Sequence, residues 1–272
     1  MESFYHQTEN TNGSEFSSYV YPNCNADCVT PHFHKNFELL LVKNGQCSFT
    51  IGGDTFTVSE GEAILVLPFQ VHRFSASPDA QFRSVTFNEL LILTLARGLE
   101  NKKLRCPVFR PSKNTFCTFL DVMNELFGSV SSNNIELPSA KRMKVKGCLY
   151  LIGGEILEQT EPMDMGSSDV VILDIVEYIA DNFRSDLTLQ TVAKDKGYNY
   201  QYLSRCFNRT FGISFKTMLN QYRTNYALSL LRDTRLSLSE IAFESGFQSI
   251  RSFDHVFKST FGIPPKDFRK NK

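Results

Sequence analysis

The feature that most constrains this 272-residue chain is a repeat near its C-terminal end. Phe207-Asn-Arg-Thr-Phe-Gly-Ile213 recurs fifty residues later as Phe257-Lys-Ser-Thr-Phe-Gly-Ile263. Upstream, Leu189-Gln-Thr-Val-Ala193 followed by Gly197 parallels Leu238-Ser-Glu-Ile-Ala242 followed by Gly246, at an offset of forty-nine. One supersecondary unit is used twice, and the second copy carries one extra residue just after its glycine. Each copy reads as a short helix, a tight turn and a second helix: Leu189, Val192 and Ala193 share a helical face, Gly197 supplies a permissive turn, and Leu203, Cys206 and Phe207 pack back. Leu238, Ile241, Ala242, Gly246, Phe253, Val256 and Phe257 repeat the pattern. The core accounts for one face of each second helix and leaves the opposite face free.

Between the copies, residues 214–231 carry Phe215, Met218, Leu219, Tyr222, Tyr226 and Leu230 at three- and four-residue spacing without Pro or Gly. Such a helix is a rigid rod of about 27 Å at 1.5 Å per residue. Neighbouring major grooves on one face of B-DNA lie about 34 Å apart, so two helices held by this rod can enter adjacent grooves.

Residues 174–269 resemble the AraC/XylS family of transcriptional regulators, through Ser239-Glu-Ile-Ala-Phe-Glu-Ser-Gly-Phe-Gln-Ser249, Phe253, Phe257-Lys258, Gly262-Ile-Pro-Pro265 and Phe268-Arg269. The resemblance implies that Gln201, Ser204 and Arg205 in the first unit, and Arg251, Asp254 and His255 in the second, face the base edges of double-stranded DNA. Their chemistry suits that role: Arg205 and Arg251 can each pair bidentately with guanine, Gln201 with adenine, and Asp254 can accept from cytosine. Asn199 and Ser249, just ahead of their helices, are natural N-caps whose neighbouring amides can hold a phosphate.

From about residue 29 to residue 87 the pattern changes to short alternating stretches broken by Asn44-Gly45, Gly52-Gly53 and Glu60-Gly61. Residues 37–42, 47–51, 55–58, 63–67 and 83–87 read as antiparallel strands of a barrel or jelly roll. His32-Phe-His34-Lys-Asn-Phe-Glu38 with Gly45 resembles the first motif of the cupin fold, and residues 61–67 with Pro68 and His72 a degraded second one. Cupin enzymes bind a metal through the equivalents of His32, His34, Glu38 and His72. Here Ala26 stands where the first motif has a glycine, and no glycine lies between Pro68 and His72, so the four are assigned to effector contact or strand packing, with no metal and no cofactor. The Cys24-x-x-x-Cys28 pair reads as loop chemistry. Residues 114–131 and 139–159 return to helical spacing, with stripes at Phe116, Phe119, Leu120, Met123 and Phe127 and at Val145, Leu149, Ile152 and Ile156. Family resemblance places dimer contacts on such helices, and packing on the barrel is the alternative.

The formal charge of zero hides an asymmetry: from Val170 onward 15 Lys and Arg face 10 Asp and Glu, and the acidic excess lies before it. Only the C-terminal part is expected to meet a polyanion. Seven cysteines without a Cys-x-x-Cys pair fit neither a disulfide framework nor a zinc ribbon. With no signal peptide or membrane-length apolar run, a cytoplasmic protein is expected.

The expected architecture is α+β in two domains: a cupin-like antiparallel β-barrel with following helices over residues 1–160, a linker at 161–168, and an all-α domain over 169–272 with two helix-turn-helix units joined by a long helix. The expected function is a homodimeric transcription regulator, an activator more than a repressor, controlled by a small-molecule effector in the barrel, with RNA polymerase as a further partner. The barrel, an arm of residues 1–28 and the linker are expected to form its bistable element. The rivals are a metal-dependent cupin enzyme with a DNA-binding tail and a regulator whose barrel only dimerises. No catalytic triad, P-loop or dinucleotide motif is present.

Overall fold

A computed structural model describes residues 15–21, 32–129, 131, 135–211 and 213–270. The chain divides into two compact units between Val170 and Val171. In the first, β1 (Phe16–Tyr21), β2 (Phe37–Asn44), β3 (Gln46–Ile51), β4 (Asp54–Ser59), β5 (Ala63–Val66), β6 (His72–Ala76) and β7 (Gln81–Phe87) precede the helix α1 (Leu93–Gly98). Two short strands, β8 (Lys102–Leu104) and β9 (Val108–Phe109), lead into α2 (Lys113–Phe127), α3 (Ser139–Gln159) and β10 (Pro162–Asp164). One sheet runs β1-β7-β2-β5-β9 and a second β4-β3-β6, all antiparallel.

β2 explains the layering. Leu39 and Leu41 point to one side, where they join Phe37, Leu65, Val85 and Phe87 under Phe119, Met123, Val145, Leu149, Ile152 and Ile156 of the helices. Leu40 and Val42 point to the other, where they meet Phe49, Val58, Ile64, Phe74 and Phe82 between the sheets. A strand buried on both faces needs a continuous apolar run, and residues 37–42 of β2 supply one broken only by Glu38. The Gly52-Gly53 loop joins β3 to β4 with both glycines at positive φ, 59° and 105°, the backbone a two-residue hairpin requires.

Three expectations change. Residues 16–21, read as part of a free arm, form β1 on β7, and β6 was not foreseen. Within the stretch read as linker, Pro162–Asp164 pairs with Lys102–Leu104. The helix expected to reach residue 131 ends at Phe127, because Gly128 takes φ 66°. Cys24, Cys28 and Ala26 lie outside the described residues, and Cys106, Cys117, Cys148 and Cys206 are free thiols.

Helix α4 (Ser167–Asn182) leads into the second unit, followed by α5 (Leu189–Asp195), α6 (Tyr200–Phe211), α7 (Phe215–Asp233), α8 (Leu238–Glu244), α9 (Ile250–Phe261) and α10 (Pro265–Lys270). α5 and α8 both begin with a capping box, Thr188 with Thr191 and Ser237 with Glu240, which satisfies amide groups that the helix leaves open. α7 serves two cores in succession. Phe215, Met218, Leu219 and Tyr222 are buried in its first half, as expected, but in its second half Ala227, Leu228 and Leu231 are buried instead of Tyr226 and Leu230. The buried stripe rotates because this half packs on Ile241, Phe253 and Phe257 of the second repeat.

The loop after α4 pins α7 to that repeat. Arg223 of α7, itself buried, donates from Nε to the Phe183 carbonyl at 2.8 Å and from a terminal nitrogen to the Ser185 carbonyl at 2.7 Å. Arg184 binds the backbone carbonyl and the carboxylate of Glu244 at the end of α8. Gly246, at φ 85°, sits directly under this loop: a Cβ there would come within 2.7 Å of Arg184 Cα and 2.9 Å of the Phe183 carbonyl.

Candidate DNA-reading surface and effector cluster

α6 and α9 correspond at an offset of fifty, so the extra residue of the second copy lies in its turn, between Gly246 and the N-cap Ser249. The apolar side of α6 buries Leu203, Cys206, Phe207 and Phe211, and that of α9 buries Phe253, Phe257 and Phe261. The other side carries the residues chosen from sequence. Gln201 and Arg205 are exposed and Ser204 half-buried on α6, and Arg251, Asp254 and His255 are exposed on α9. Asn199 Oδ1 accepts from the Tyr202 amide at 3.1 Å and Ser249 Oγ from the Ser252 amide at 3.2 Å, so both cap their helices.

The fifty-residue correspondence aligns Gln201 with Arg251 and Arg205 with His255, so the two surfaces differ in chemistry although their scaffolds match. Arg209 and Lys258 are exposed on the same helices one turn beyond Arg205 and Asp254. Sequence reasoning did not select them, although counting four residues onward along each exposed face would have found both.

At one end of the layer between the sheets, the structure brings His32, His34, Glu38 and His72 together. One donor atom from each lies within 4.8 Å of the others. Glu38, on the inward face of β2, has Oε2 3.2 Å from His34 Nε2 and 3.1 Å from His72 Nε2, and its Oε1 accepts from Ser84 Oγ. His32 is joined to His72 by paired backbone hydrogen bonds. Ser84 and Thr86, which face the same side of β7 as Glu38 faces on β2, were not selected from sequence; a two-residue alternation counted onward from Phe82 would have placed them. Burial works against the Glu38 carboxylate, while ring N–H groups of His34 and His72, wherever they donate to its oxygen, draw its pKa well down. Burial pushes the His34 pKa down, against the pull of Glu38.

The helical stripe at Val145, Leu149, Ile152 and Ile156 is spent on the chain's own core. Met143, Tyr150, Leu151 and Leu157 are the exposed apolar side chains of α3.

A barrel with a buried polar cluster, and a separate unit that presents two exposed helices from paired helix-turn-helix repeats, define a ligand-responsive DNA-binding regulator. Comparison with known proteins agrees. An AraC-like ligand binding domain profile matches residues 16–134 and a helix-turn-helix domain profile residues 192–271. The melibiose operon regulatory protein of Escherichia coli is 22% identical over 253 residues, covering 89% of this chain and 83% of its own. The transcriptional regulator YdiP of Escherichia coli, itself uncharacterised, is 24% identical over 253 residues, covering 88% and 80%. Apo ToxT of Vibrio cholerae superposes with a TM-score of 0.60 over 95% of this chain and 98% of that one at 15% identity, and ToxT has also been solved with an unsaturated fatty acid bound. The chain belongs to the AraC family of transcriptional regulators.

Proposed function

We propose that this regulator reads two adjacent major grooves, through Gln201, Ser204 and Arg205 on α6 and through Arg251, Asp254 and His255 on α9. The observation that carries the reading is the match of α6 and α9: each is capped, anchored by aromatic residues on one side and polar on the other. Arg205 and Arg251 supply bidentate donors to guanine. Arg209 and Lys258, with the amide groups beside Asn199 and Ser249, neutralise phosphates and set position rather than sequence.

The effector binds at the end of the layer between the two sheets and is contacted by His32, His34, Glu38 and His72. The unsaturated fatty acid bound to ToxT supports a small-molecule effector for a protein of this fold. Effector can shift regulation only by binding one arrangement of the domains better than the other. The protein acts as an activator, in the cytoplasm and together with RNA polymerase, and has no enzymatic role. It dimerises through the exposed face of α3. That face carries the exposed side chains of Met143, Tyr150, Leu151 and Leu157.

The test is selection of bound fragments from random DNA by the full chain, followed by footprinting at two salt concentrations. One asymmetric motif spanning two major grooves on one face is expected. Arg205→Ala should then cost about 1 to 3 kcal/mol on that motif and relax one base position. Equal losses on cognate and random DNA would remove Arg205 from the base-reading set.

A further inference from the structure

The buried histidine cluster contains an unresolved conflict of lone pairs. His34 Nδ1 lies 2.9 Å from the Asn36 carbonyl oxygen and His72 Nδ1 2.8 Å from that of Gln70. A carbonyl oxygen can only accept, so both Nδ1 atoms carry the proton, and a neutral ring then offers a bare lone pair at Nε2. Both Nε2 atoms point at the same carboxylate oxygen, Glu38 Oε2, at 3.2 and 3.1 Å. Three acceptors then converge with no proton among them. Two imidazolium rings would resolve the conflict, but His34, His72 and Glu38 are each 2% exposed or less, and two buried cations beside one carboxylate leave a charge uncompensated. A single small cation among the lone pairs resolves it without charging either ring.

We infer that the first unit binds one divalent transition-metal ion through His32, His34, Glu38 and His72, against the assignment made from sequence. Three imidazoles and one carboxylate suit zinc or iron rather than magnesium or calcium. Donors held at about 2.1 Å from such an ion stand roughly 3 to 4 Å apart, so donor atoms already within 4.8 Å of one another need only a small contraction. The surrounding contacts are those of a supported site: both Nδ1–H groups are held by carbonyls, and Ser84 holds the second oxygen of Glu38. Phe69, in the turn that presents His72, adopts φ 63°, and its amide binds the His34 carbonyl at 2.7 Å. The turn thus keeps the left-handed backbone that the missing glycine would have provided, with a bulky residue in its place. The inference concerns the barrel alone and is independent of DNA reading; it bears on the effector reading in that an effector would then meet these four residues through the ion.

The experiment uses the full chain without an affinity tag, purified from zinc- and iron-supplemented medium, dialysed against a weak chelator and assayed by elemental mass spectrometry. About one ion per chain is expected, falling roughly tenfold or more in His34→Gln and in His72→Gln, and unchanged in Cys106→Ser/Cys117→Ser. Apoprotein titrated with Co2+ alone should give a saturable visible absorption band absent from both histidine variants. Circular dichroism checks that the variants fold, and near-isosteric Glu38→Gln replaces any that does not. A chain without retained ion and without a Co2+ band would overturn the inference, as would ion content that ignores the substitutions; proton NMR would then show imidazolium at the cluster. Loss of DNA selectivity with ion content intact would instead count against the DNA-reading assignment.

Discussion

Gly197 and Gly246 occupy the same place in the two repeats, and both have positive φ, 71° and 85°, yet alanine at the two sites should cost different amounts. Either substitution forces a Cβ into the left-handed region, at about 1 kcal/mol or somewhat more. At Gly197 the added methyl meets nothing within 4 Å. At Gly246 it would meet Arg184 Cα at 2.7 Å, the Arg184 carbonyl at 2.8 Å and the Phe183 carbonyl at 2.9 Å. These are backbone atoms of a loop already tied down by Arg223 and by the Arg184–Glu244 pair, so they cannot move aside as a flexible side chain could. Overpacking of this kind adds about 1 to 3 kcal/mol, which puts Gly246→Ala about 2 kcal/mol above Gly197→Ala. Hydrogen exchange on the full chain, read on peptides covering α5–α6 and α8–α9, measures the local stability of each repeat. The expected result is a modest loss of protection for the first variant, and for the second a large loss that extends to residues 183–185. Losses equal to within about 0.5 kcal/mol would refute the close approach, because conformational cost alone would then explain both.

Other expectations follow from single contacts. Arg223→Met removes the donors for two carbonyls under α7 and should destabilise the second unit by about 2 to 4 kcal/mol, measured by the same exchange experiment. Burial raises the Glu155 pKa, but hydrogen bonds from Thr115 and Ser112, which join α3 to the start of α2, outweigh it and leave the pKa below the usual 4.5. That contribution is present above the unfolded value and is lost as pH falls through the lower folded one. Glu155→Gln should therefore be less stable than the native chain near neutral pH, and urea titrations across acid pH should show the gap narrowing. Tyr150→Glu on the exposed face of α3 should shift sedimentation from dimer towards monomer while leaving the thermal transition of the first unit within about 0.5 kcal/mol, as surface changes do.

The second unit was legible because a repeat is its own control. Two copies of one pattern fixed both turns, the extra residue near Gly246 and the N-caps Asn199 and Ser249 before any coordinates. The rotation of the stripe on α7 was not legible, since Tyr226 and Leu230 continue the spacing of Tyr222 and only the second core at Ala227, Leu228 and Leu231 breaks it. In the first unit, glycine-bounded alternation located β2 to β5. β1 was hidden because Ser17 and Ser18 are fully buried, and polar residues in a core strand erase the apolar pattern. β7 was read from residue 83 onward, but the role of Arg83 was not: it is buried and bonded to Ser18, Asn124 and Gly128, which a strand residue read by hydropathy does not announce. The histidine cluster was visible through resemblance alone, because the fold brings His72 onto Glu38 from thirty-four residues away, a separation from which spacing infers nothing.

The loop at residues 183–185 makes the duplication irreversible. A freshly doubled module could be cut at its midpoint to give two working halves, but here the second copy's turn is roofed by a segment that precedes the first copy, and the connecting helix hangs from that same segment. Separated, the second half loses its roof, and the first keeps a roof with nothing of its own beneath it. Engineering of new operators is therefore confined to exchanging exposed positions on α6 and α9 as if they were interchangeable type in a fixed press. Transplanting either copy whole would carry the letters away without the frame.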